Sequence, residues 1–422
     1  MKTIAEKILS AKSGTDARAG DTVICVVDGA LGTDASGPMA IDYFHAMGGD
    51  KVADPSRLLF ALDHYAPPPT QKAAAHLNTV RAFCAEQGIH CHETGEGIGH
   101  QLVVETGWAR PGTLVVGADS HAVTYGALNC FGTGIGSSDL AAAMLTGKVW
   151  LRVPETLRVV FDGRFADGVD AKDAALALIG QLGADGAAYK VLEFTGPGIR
   201  DLSMDDRLVL ANMSMECGAK AGIFDADAAT DAYLQGRTDI SSKPVTADAQ
   251  ADYADEFRID LTSLAPQLAR PHHVDNVVPV GDGAGQPVDM VYLGTCTGGR
   301  SRDFQRARDI LKSAGGPAQN LKVIVTPASR EVHLDLLRDG TLADFTAMGA
   351  IVQTPGCGSC CGTCGTVVEA GMTIVSTANR NFRGRMGNPD AHIWLASPAT
   401  CAMTAAKGVI TDPRELCGEV GR

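Results

Sequence analysis

The sequence of 422 residues predicts an α/β fold, and three features of it indicate this class. Short apolar runs end in clusters of polar residues, helical segments lie between these runs, and glycine is abundant, at 49 residues. Glycine is common where strands turn into helices near a ligand. At about 150 residues per domain, the length corresponds to about three domains.

Four apolar runs are the predicted strands on which the rest of the interpretation depends. Runs bounded by turn residues are typical of buried strands. In open α/β sheets, ligands bind beyond the carboxyl ends of the strands, so the polar residues after these runs are expected to form a functional site. The runs are Leu114–Val116, Met290–Leu293, Ile351–Gln353 and Thr373–Val375.

The pattern between the strands predicts helices over 301–311, with Ser301 as N-cap, and over 141–150. The polar stretch 225–256 is expected to be a surface excursion or a flexible connection. Boundaries near Pro154 and Gly283 divide the chain into three α/β domains. The predicted domains are 1–154, 155–283 and 284–422.

Composition excludes several classes of protein. Hydrophobic residues make up 45% and charged residues 20%, as in globular proteins. A formal charge of −13 argues against nucleic acid as the main partner. No run of 18 apolar residues occurs, and charged residues interrupt the N-terminal segment, so neither a membrane span nor a signal peptide is expected. Twelve cysteines without a secretory signal then indicate a reducing compartment, and we expect the cytoplasm.

The cysteines are the strongest chemical feature. Cys357 and Cys360 form a CxxC motif, and Cys296 follows a different predicted strand. Three thiolates from two loops suit three irons of a cubane cluster, which leaves the fourth iron open. Two alternatives stay open at this point. One is a zinc or redox site that also uses Cys361 and Cys364, and the other is a set of buried spare thiols.

Acidic residues next to histidines and a group of arginines form the second feature. Asp63 precedes His64, and Asp119 and His121 flank Ser120. A carboxylate beside an imidazole keeps it charged, which suits a proton donor. Near the C-terminus, three arginines surround a glycine in the segment 379–385, a composition that suits binding of carboxylates by bidentate hydrogen bonds.

Taken together, these residues resemble the aconitase superfamily, and most closely the large subunits of the isopropylmalate dehydratase type. The resemblance covers essentially the whole chain through an ordered series of motifs. These motifs are Asp63-His64, Gly99-His100-Gln101, Gly117-Ala118-Asp119-Ser120-His121, Gly134 to Asp139, Asn212 to Gly222, Cys296 to Arg300, Pro355 to Cys360 and Asn379 to Arg385.

The resemblance implies three α/β/α domains around a 4Fe-4S cluster held by Cys296, Cys357 and Cys360. It also implies three acid–imidazole pairs, which are Asp63 with His64, Asp119 with His100, and Glu216 with His121. Ser120 lies in the same loop and is a further catalytic candidate. The substrate-binding candidates are Asn212, Asn379, Arg380 and Arg385.

The implied activity is that of a hydro-lyase or isomerase that adds water to, or removes it from, a small 2-hydroxy-diacid such as 3-isopropylmalate. Homoaconitate, citraconate or methylmalate, and dimethylmalate are alternative substrates of the same class. In this family, a serine in a fourth, swivelling domain is the base, and its Gly-Ser-Ser-Arg motif is not found here. A small-subunit partner that supplies this domain is therefore expected. RNA binding, known for some aconitase relatives, is a remote alternative that the acidic charge disfavours.

The sequence departs from the family pattern close to the cysteines. Gly298 stands where the family usually has Asn, and Ser359 stands where Pro is common. Cys361 to Cys364 replace the usual Leu-Gly-x-His. The predicted ligands are retained while their neighbours differ, which leaves the identity of the diacid open.

Overall fold

The structure is a computed structural model, and it describes residues 1–415 of the chain. The last seven residues of the predicted third domain, 416–422, lie outside the described residues. Contacts divide the described chain into two units. Unit one contains residues 1–94, 99–161 and 185–258, and unit two contains residues 95–98, 162–184 and 259–415. The division into three domains stays a prediction.

The strands of unit one form three sheets. A five-stranded sheet has the order β4-β3-β2-β5-β6, a four-stranded sheet has the order β10-β9-β8-β11, and β1 pairs with β7. These strands are β1 Thr22–Val26, β2 Gly29–Thr33, β3 Leu58–Ala61, β4 His90–His92, β5 Leu114–Gly117, β6 Phe131–Gly134, β7 Lys148–Arg152, β8 Thr156–Asp162, β9 Val191–Thr195, β10 Ala221–Phe224 and β11 Asp255–Asp260.

Unit two is built on one seven-stranded sheet with the order β13-β12-β18-β17-β14-β15-β16. The strands β14 to β18 pair in parallel, and β12 pairs antiparallel with its two neighbours. These strands are β12 Gln267–Ala269, β13 Val277–Pro279, β14 Met290–Gly294, β15 Lys322–Thr326, β16 Ile351–Val352, β17 Thr373–Ser376 and β18 His392–Leu395.

Helices cover the sheets of both units. Unit one contains α1 Ile4–Ser13, α2 Gly37–Ala46, α3 Gln71–Gln87, α4 Gly99–Glu105, α5 Ser137–Thr146, α7 Met204–Met213 and α8 Ala228–Leu234. Unit two contains α6 Ala171–Leu182, α9 Thr295–Gly298, α10 Ser301–Ser313, α11 Arg330–Arg338, α12 Thr341–Ala347 and α13 Pro398–Lys407. Among residues 1–415, no helix is long and apolar enough to cross a membrane.

All four predicted strands are present, as β5, β14, β16 and β17. The helix predicted over 301–311 is α10, but its N-cap is Arg300 rather than Ser301, because Asp303 Oδ2 accepts from the Arg300 backbone N–H at 3.0 Å. The helix predicted over 141–150 was wrong in its bounds. Gly147 adopts a left-handed conformation (φ 69°) that ends α5, and Trp150 lies in β7.

Each unit has a hydrophobic core of its own. In unit one, α1, α2, α3 and α5 pack with the five-stranded sheet around a cluster that includes Phe44, Phe60 and Phe131, all at most 1% exposed. In unit two, Phe304 and Phe345 are fully buried between helices and the seven-stranded sheet. Burial of such side chains contributes about 1.5–3 kcal/mol each, which holds the backbone at the strand ends in place.

Close backbone packing fixes the segment that follows β5, a 3₁₀ helix over Ser120–Leu128. This segment lies against β10, and a Cβ atom at Gly126 would overlap the backbone carbonyl of Gly222. The overlap is with backbone rather than with a side chain that can rotate away. Position 126 therefore requires glycine.

We predict that Gly126→Ala destabilises the protein by about 1–3 kcal/mol, the usual cost of overpacking a core. Thermal unfolding followed by circular dichroism measures the effect. Gly281→Ala is the matched control, because nothing lies within 4 Å of a Cβ at that position, and it should change stability by less than about 0.5 kcal/mol. Equal midpoints for the two variants would contradict the packing argument.

Candidate active site

Polar residues of unit one gather where the parallel strands of the five-stranded sheet end. Asp34 follows β2, Asp63 and His64 follow β3, and Asp119 follows β5. The carboxyl ends of parallel strands lie at the same edge of a sheet, so residues up to 85 positions apart become neighbours. This edge is the first candidate site.

Three carboxylates surround the His64 imidazole at this edge. Its Nδ1 lies 2.7 Å from Asp63 Oδ1 and 3.6 Å from Asp34 Oδ1, and its Nε2 lies 3.3 Å from Asp119 Oδ2. Burial alone would lower the pKa of His64, but the charge of Asp63 and the hydrogen bonds of all three carboxylates raise it well above its ordinary value. His64 is therefore an imidazolium at neutral pH.

Asp119 is the common partner of the histidines. His100 Nε2 lies 2.9 Å from Asp119 Oδ1, and His121 Nδ1 lies 3.6 Å from the same oxygen. Burial raises the pKa of Asp119, but the charge and hydrogen bond of His100, with hydrogen bonds from His121 and His64, hold it well below the usual range. This carboxylate stays ionised in a buried site because three imidazoles surround it.

The remaining acid–imidazole pair joins distant parts of unit one. His121 Nε2 lies 2.8 Å from Glu216 Oε1, and both side chains are buried. Asn212 is fully buried and donates to Thr124 Oγ1 at 2.9 Å, and Thr124 in turn donates to the His121 carbonyl at 2.6 Å. The structure thus places Asn212 behind His121 in the interior of unit one.

Ser120 lies beside a cavity of about 380 Å³ in unit one. The residue is partly exposed, and the cavity also contacts Asp139, Met215 and Lys220. The Gly134–Asp139 motif therefore lines the space next to the loop of Asp119 and His121. The role of Ser120 stays a prediction.

The predicted cysteine ligands lie in unit two, at the carboxyl ends of its parallel strands. Cys296 follows β14, and the CxxC motif of Cys357 and Cys360 follows β16. Cys296 and Cys360 are buried, at 8% and 2% exposure, and Cys357 is partly exposed. Asn379, which follows β17, contacts both buried thiols. Its Nδ2 donates to Cys296 Sγ at 3.4 Å, and its Oδ1 accepts from Cys360 Sγ at 3.8 Å.

The arginines of the 379–385 segment differ in their surroundings. The Arg385 side chain is partly buried and donates from Nη2 to Cys360 Sγ at 3.3 Å, while its Nε has no hydrogen-bond partner among the described residues. Burial lowers the pKa of Arg385, but the neighbouring thiols, Cys360 first, raise it above its usual value. Arg380 is partly exposed and follows Asn379 directly.

The spacing of the thiols disfavours a single zinc ion. Zinc–sulfur bonds of about 2.3 Å in a tetrahedron require sulfurs about 3.8 Å apart. Among residues 1–415, the groups of three such ligands that converge within 4.8 Å are His100, Asp119 and His121, and Asp34, Asp63 and His64. No three thiols of the described chain come this close.

Comparison with known proteins shows the family to which the chain belongs. A sequence model of the Aconitase family (aconitate hydratase) matches residues 6–287 and 282–408. The chain belongs to the aconitase family. The predicted family is therefore confirmed, and with it the hydro-lyase class of enzyme.

Several curated members of the aconitase family match this chain over 98% of its length and 99% of theirs. The large subunit 1 of 3-isopropylmalate dehydratase from Methanopyrus kandleri is 45% identical. Large subunit 2 from Archaeoglobus fulgidus is 46% identical, and large subunit 1 from Thermotoga maritima is 44% identical. The predicted subfamily is confirmed.

A solved structure supports the aconitase-type fold. The holo-form of aconitase X from Thermococcus kodakaraensis aligns with a TM-score of 0.51 at 13% identity, and the alignment covers 89% of this chain and 88% of that one. At this identity the likeness concerns the fold alone. The predicted α/β fold of the aconitase type is thus confirmed.

Two residues of this aconitase-family site escaped the sequence interpretation. Asp34 accepts the backbone N–H groups of His64 and Tyr65 at 3.0 and 2.9 Å, and Tyr125 contacts His100 Nδ1 through its hydroxyl at 3.1 Å. Asp34 was detectable, because it follows the run Gly29–Thr33 as Asp63 follows β3. Tyr125 carries no such signal, since it lies inside the buried segment after β5.

We predict that Asp63→Asn lowers the pKa of His64, because the amide keeps the shape but loses the charge. NMR titration of the imidazole measures it. A histidine whose pKa is raised in the folded state contributes to the stability of that state. This contribution is fully present below the unfolded pKa of about 6.5, and it is lost as pH rises through the folded pKa. The variant should lose stability at acidic to neutral pH.

Asp54→Asn is the matched control for this titration. Asp54 is 44% exposed, and its carboxylate accepts from the Ser56 backbone N–H, away from the imidazoles. It should leave the pKa of His64 unchanged. A His64 pKa that is the same in Asp63→Asn and in the parent would show that Asp63 does not control the charge.

Proposed function

We propose that this chain is the large, cluster-bearing subunit of a hydro-lyase that dehydrates or hydrates a small 2-hydroxy-diacid, with 3-isopropylmalate as the leading substrate. The observation that carries this proposal is the pair of buried thiols, Cys296 and Cys360, that share Asn379, in a chain 44–46% identical to the dehydratase large subunits. Homoaconitate, methylmalate or citraconate, and dimethylmalate are alternative substrates of the same chemical class.

The second unit would hold a 4Fe-4S cluster on Cys296, Cys357 and Cys360. Two observations fit this group: the donors are thiols, and a polar group beside them lacks a hydrogen-bond partner. Arg385, which contacts Cys360 Sγ, has an Nε without a hydrogen-bond partner among the described residues. When bound, the cluster supplies a Lewis-acidic iron for the substrate hydroxyl and one carboxylate.

The first unit would supply the acid chemistry. His64, held as an imidazolium by Asp63 and Asp34, would donate its proton to the departing hydroxyl, which turns hydroxide into water. Its Nε2 faces Asp119 at 3.3 Å, so this ionised carboxylate, which is also paired with His100, would favour the charged form of the imidazole. His121 would be oriented by Glu216 in the same way. Ser120, in the same loop, is proposed to contact substrate.

The arginines would give the selectivity for diacids. Arg380 and Arg385 present cationic forks that match carboxylates in a bidentate manner. Asn379 would contact the substrate on the side that faces the cluster. Asn212 would support the position of His121 through its hydrogen bond to Thr124. Two carboxylate-binding arginines favour a malate-type diacid over a monocarboxylate.

A small subunit would complete the enzyme. The proposed mechanism needs a base that removes the proton from the carbon next to the departing hydroxyl, and the residues proposed here as acids and carboxylate binders leave that role open. We propose that a swivel-domain protein carries the base as a serine. A reducing compartment such as the cytoplasm suits a protein in which all eleven cysteines of the described chain are free thiols.

We predict that Cys296→Ser, Cys357→Ser and Cys360→Ser each abolish the anaerobic iron–sulfur absorbance of the reconstituted chain, because each removes one thiolate ligand. Iron and sulfide analysis with visible absorption spectra measures the effect. Cys401→Ser is the matched control, since Cys401 is a buried thiol of α13 in the same unit. It should retain iron and sulfide in full.

The ligand assignment would be wrong if Cys361→Ser and Cys364→Ser removed the absorbance while the first three variants kept it. A colourless preparation with one zinc per chain would favour the zinc alternative. Binding of RNA by the iron-free chain would favour the RNA-binding alternative.

We predict that the chain turns over a substituted malate only together with a small subunit, and that Arg385→Lys lowers kcat/KM. The loss of the planar fork should cost about 1.5–3 kcal/mol, or about 10- to 150-fold. The assay follows enoate absorbance of the reconstituted two-subunit enzyme on each of the four diacids.

Arg383→Lys is the control for the arginine, because Arg383 belongs to the same segment but is exposed. It should retain the parent value of kcat/KM. Turnover by the chain alone would remove the need for a partner. Activity on monocarboxylates only, or an unchanged Arg385→Lys enzyme, would overturn the diacid assignment.

A further inference from the structure

Lys172 is a buried lysine that the proposed reaction does not use. It is 3% exposed and lies at the second position of α6 in unit two. Two physical effects disfavour a charged lysine at this position. Burial of an ammonium group carries a desolvation cost, and the N-terminal turn of a helix is the positive end of its dipole. A cation kept at such a position needs strong compensating contacts.

Two hydrogen bonds of Lys172 reach the backbone that carries Asn379. Its Nζ donates to the Thr377 carbonyl at 3.1 Å and to the Ala378 carbonyl at 2.5 Å. These are the two residues between the end of β17 and Asn379. Hydrogen bonds from a charged donor are about twice as strong as neutral ones, so the ammonium fixes this turn.

Thr377 connects the same turn to the other cysteine loop. Its Oγ1 accepts from the Gly294 N–H at 2.9 Å and donates to the Gly294 carbonyl at 3.0 Å. A Cβ atom at Gly298 would lie 2.6 Å from Thr377 Cβ. The glycine at 298 thus leaves room for Thr377, so the turn held by Lys172 is packed directly against the loop of Cys296.

We propose that Lys172 is a positioning residue of the iron–sulfur site, which acts by holding the Thr377–Ala378 turn so that Asn379 contacts both Cys296 and Cys360. The inference rests on the proposed cluster. Groups that orient metal ligands from outside the ligand set change metal affinity by about 10- to 100-fold when removed. Lys172 would do so through the backbone rather than by touching a thiol.

Lys172→Met tests this in the full-length reconstituted chain. The measured quantities are the anaerobic rate of iron loss to a chelator and the electron paramagnetic resonance spectrum of the reduced cluster. We expect iron loss about 10-fold faster or more, an altered spectrum, and partial restoration in Lys172→Arg, which keeps a charged donor. In an Asn379→Ala background, Lys172→Met should add little, because the two changes remove the same contact.

The matched control is Lys220→Met, since Lys220 is a part-buried lysine of unit one whose Nζ donates to the Gly134 carbonyl at 3.1 Å. It should lose iron at the parent rate. Circular dichroism checks folding, and if Lys172→Met does not fold, Lys172→Gln takes its place in every comparison.

Parent rates and spectra in the Lys172 variants, or additive effects of Lys172→Met and Asn379→Ala, would overturn the role of Lys172 and leave the cluster proposal intact. A parent chain that binds neither iron nor sulfide would overturn the cluster proposal itself, and with it this inference.

Discussion

Parallel strand pairing is the constraint on which the candidate sites depend. In each unit, the carboxyl ends of neighbouring parallel strands lie at one edge, and every backbone that leaves that edge must turn. The turns after β2, β3 and β5 carry Asp34, Asp63 with His64, and Asp119. The turns after β14 and β17 carry Cys296 and Asn379. The sheets therefore assemble residues that are separated by tens of positions in the chain, and the hydrophobic cores keep those turns from relaxing.

Burial then decides the charge states at these edges. An isolated carboxylate or imidazolium would be neutralised in such surroundings. Asp119 stays ionised and His64 stays protonated because each supplies part of the compensation that the other needs, with Asp34 and Asp63 contributing the remainder. No residue of this group would stay charged if its partners were removed. The proposed acid function therefore depends on the group of paired residues rather than on one histidine.

The sequence predicted the strands that matter and the residues after them, because apolar runs that stop at polar clusters report buried strands directly. Of the acid–imidazole pairs, only Asp63 with His64 could be predicted from neighbouring residues. The pairing of Asp119 with His100 and of Glu216 with His121 depended on family resemblance, because these partners lie 19 and 95 positions apart. Local patterns failed where one residue changes the chain direction, as Gly147 does at the end of α5. They also could not find the contact of the Tyr125 hydroxyl with His100, or those of Lys172 with the Thr377 and Ala378 carbonyls, because only the folded chain brings these groups together.

The departure at Gly298 shows why neighbours of a ligand can change while the ligand stays. The space that an asparagine side chain would need at this position is occupied by Thr377, whose hydroxyl is tied to both backbone groups of Gly294. Glycine at position 298 thus leaves room for Thr377, and Thr377 holds the Cys296 turn through the backbone of Gly294. Asn379 follows the same turn and contacts two thiols, so its position depends on these backbone contacts. The turn that presents Asn379 is therefore held by Thr377, and no side chain at position 298 is needed to hold it.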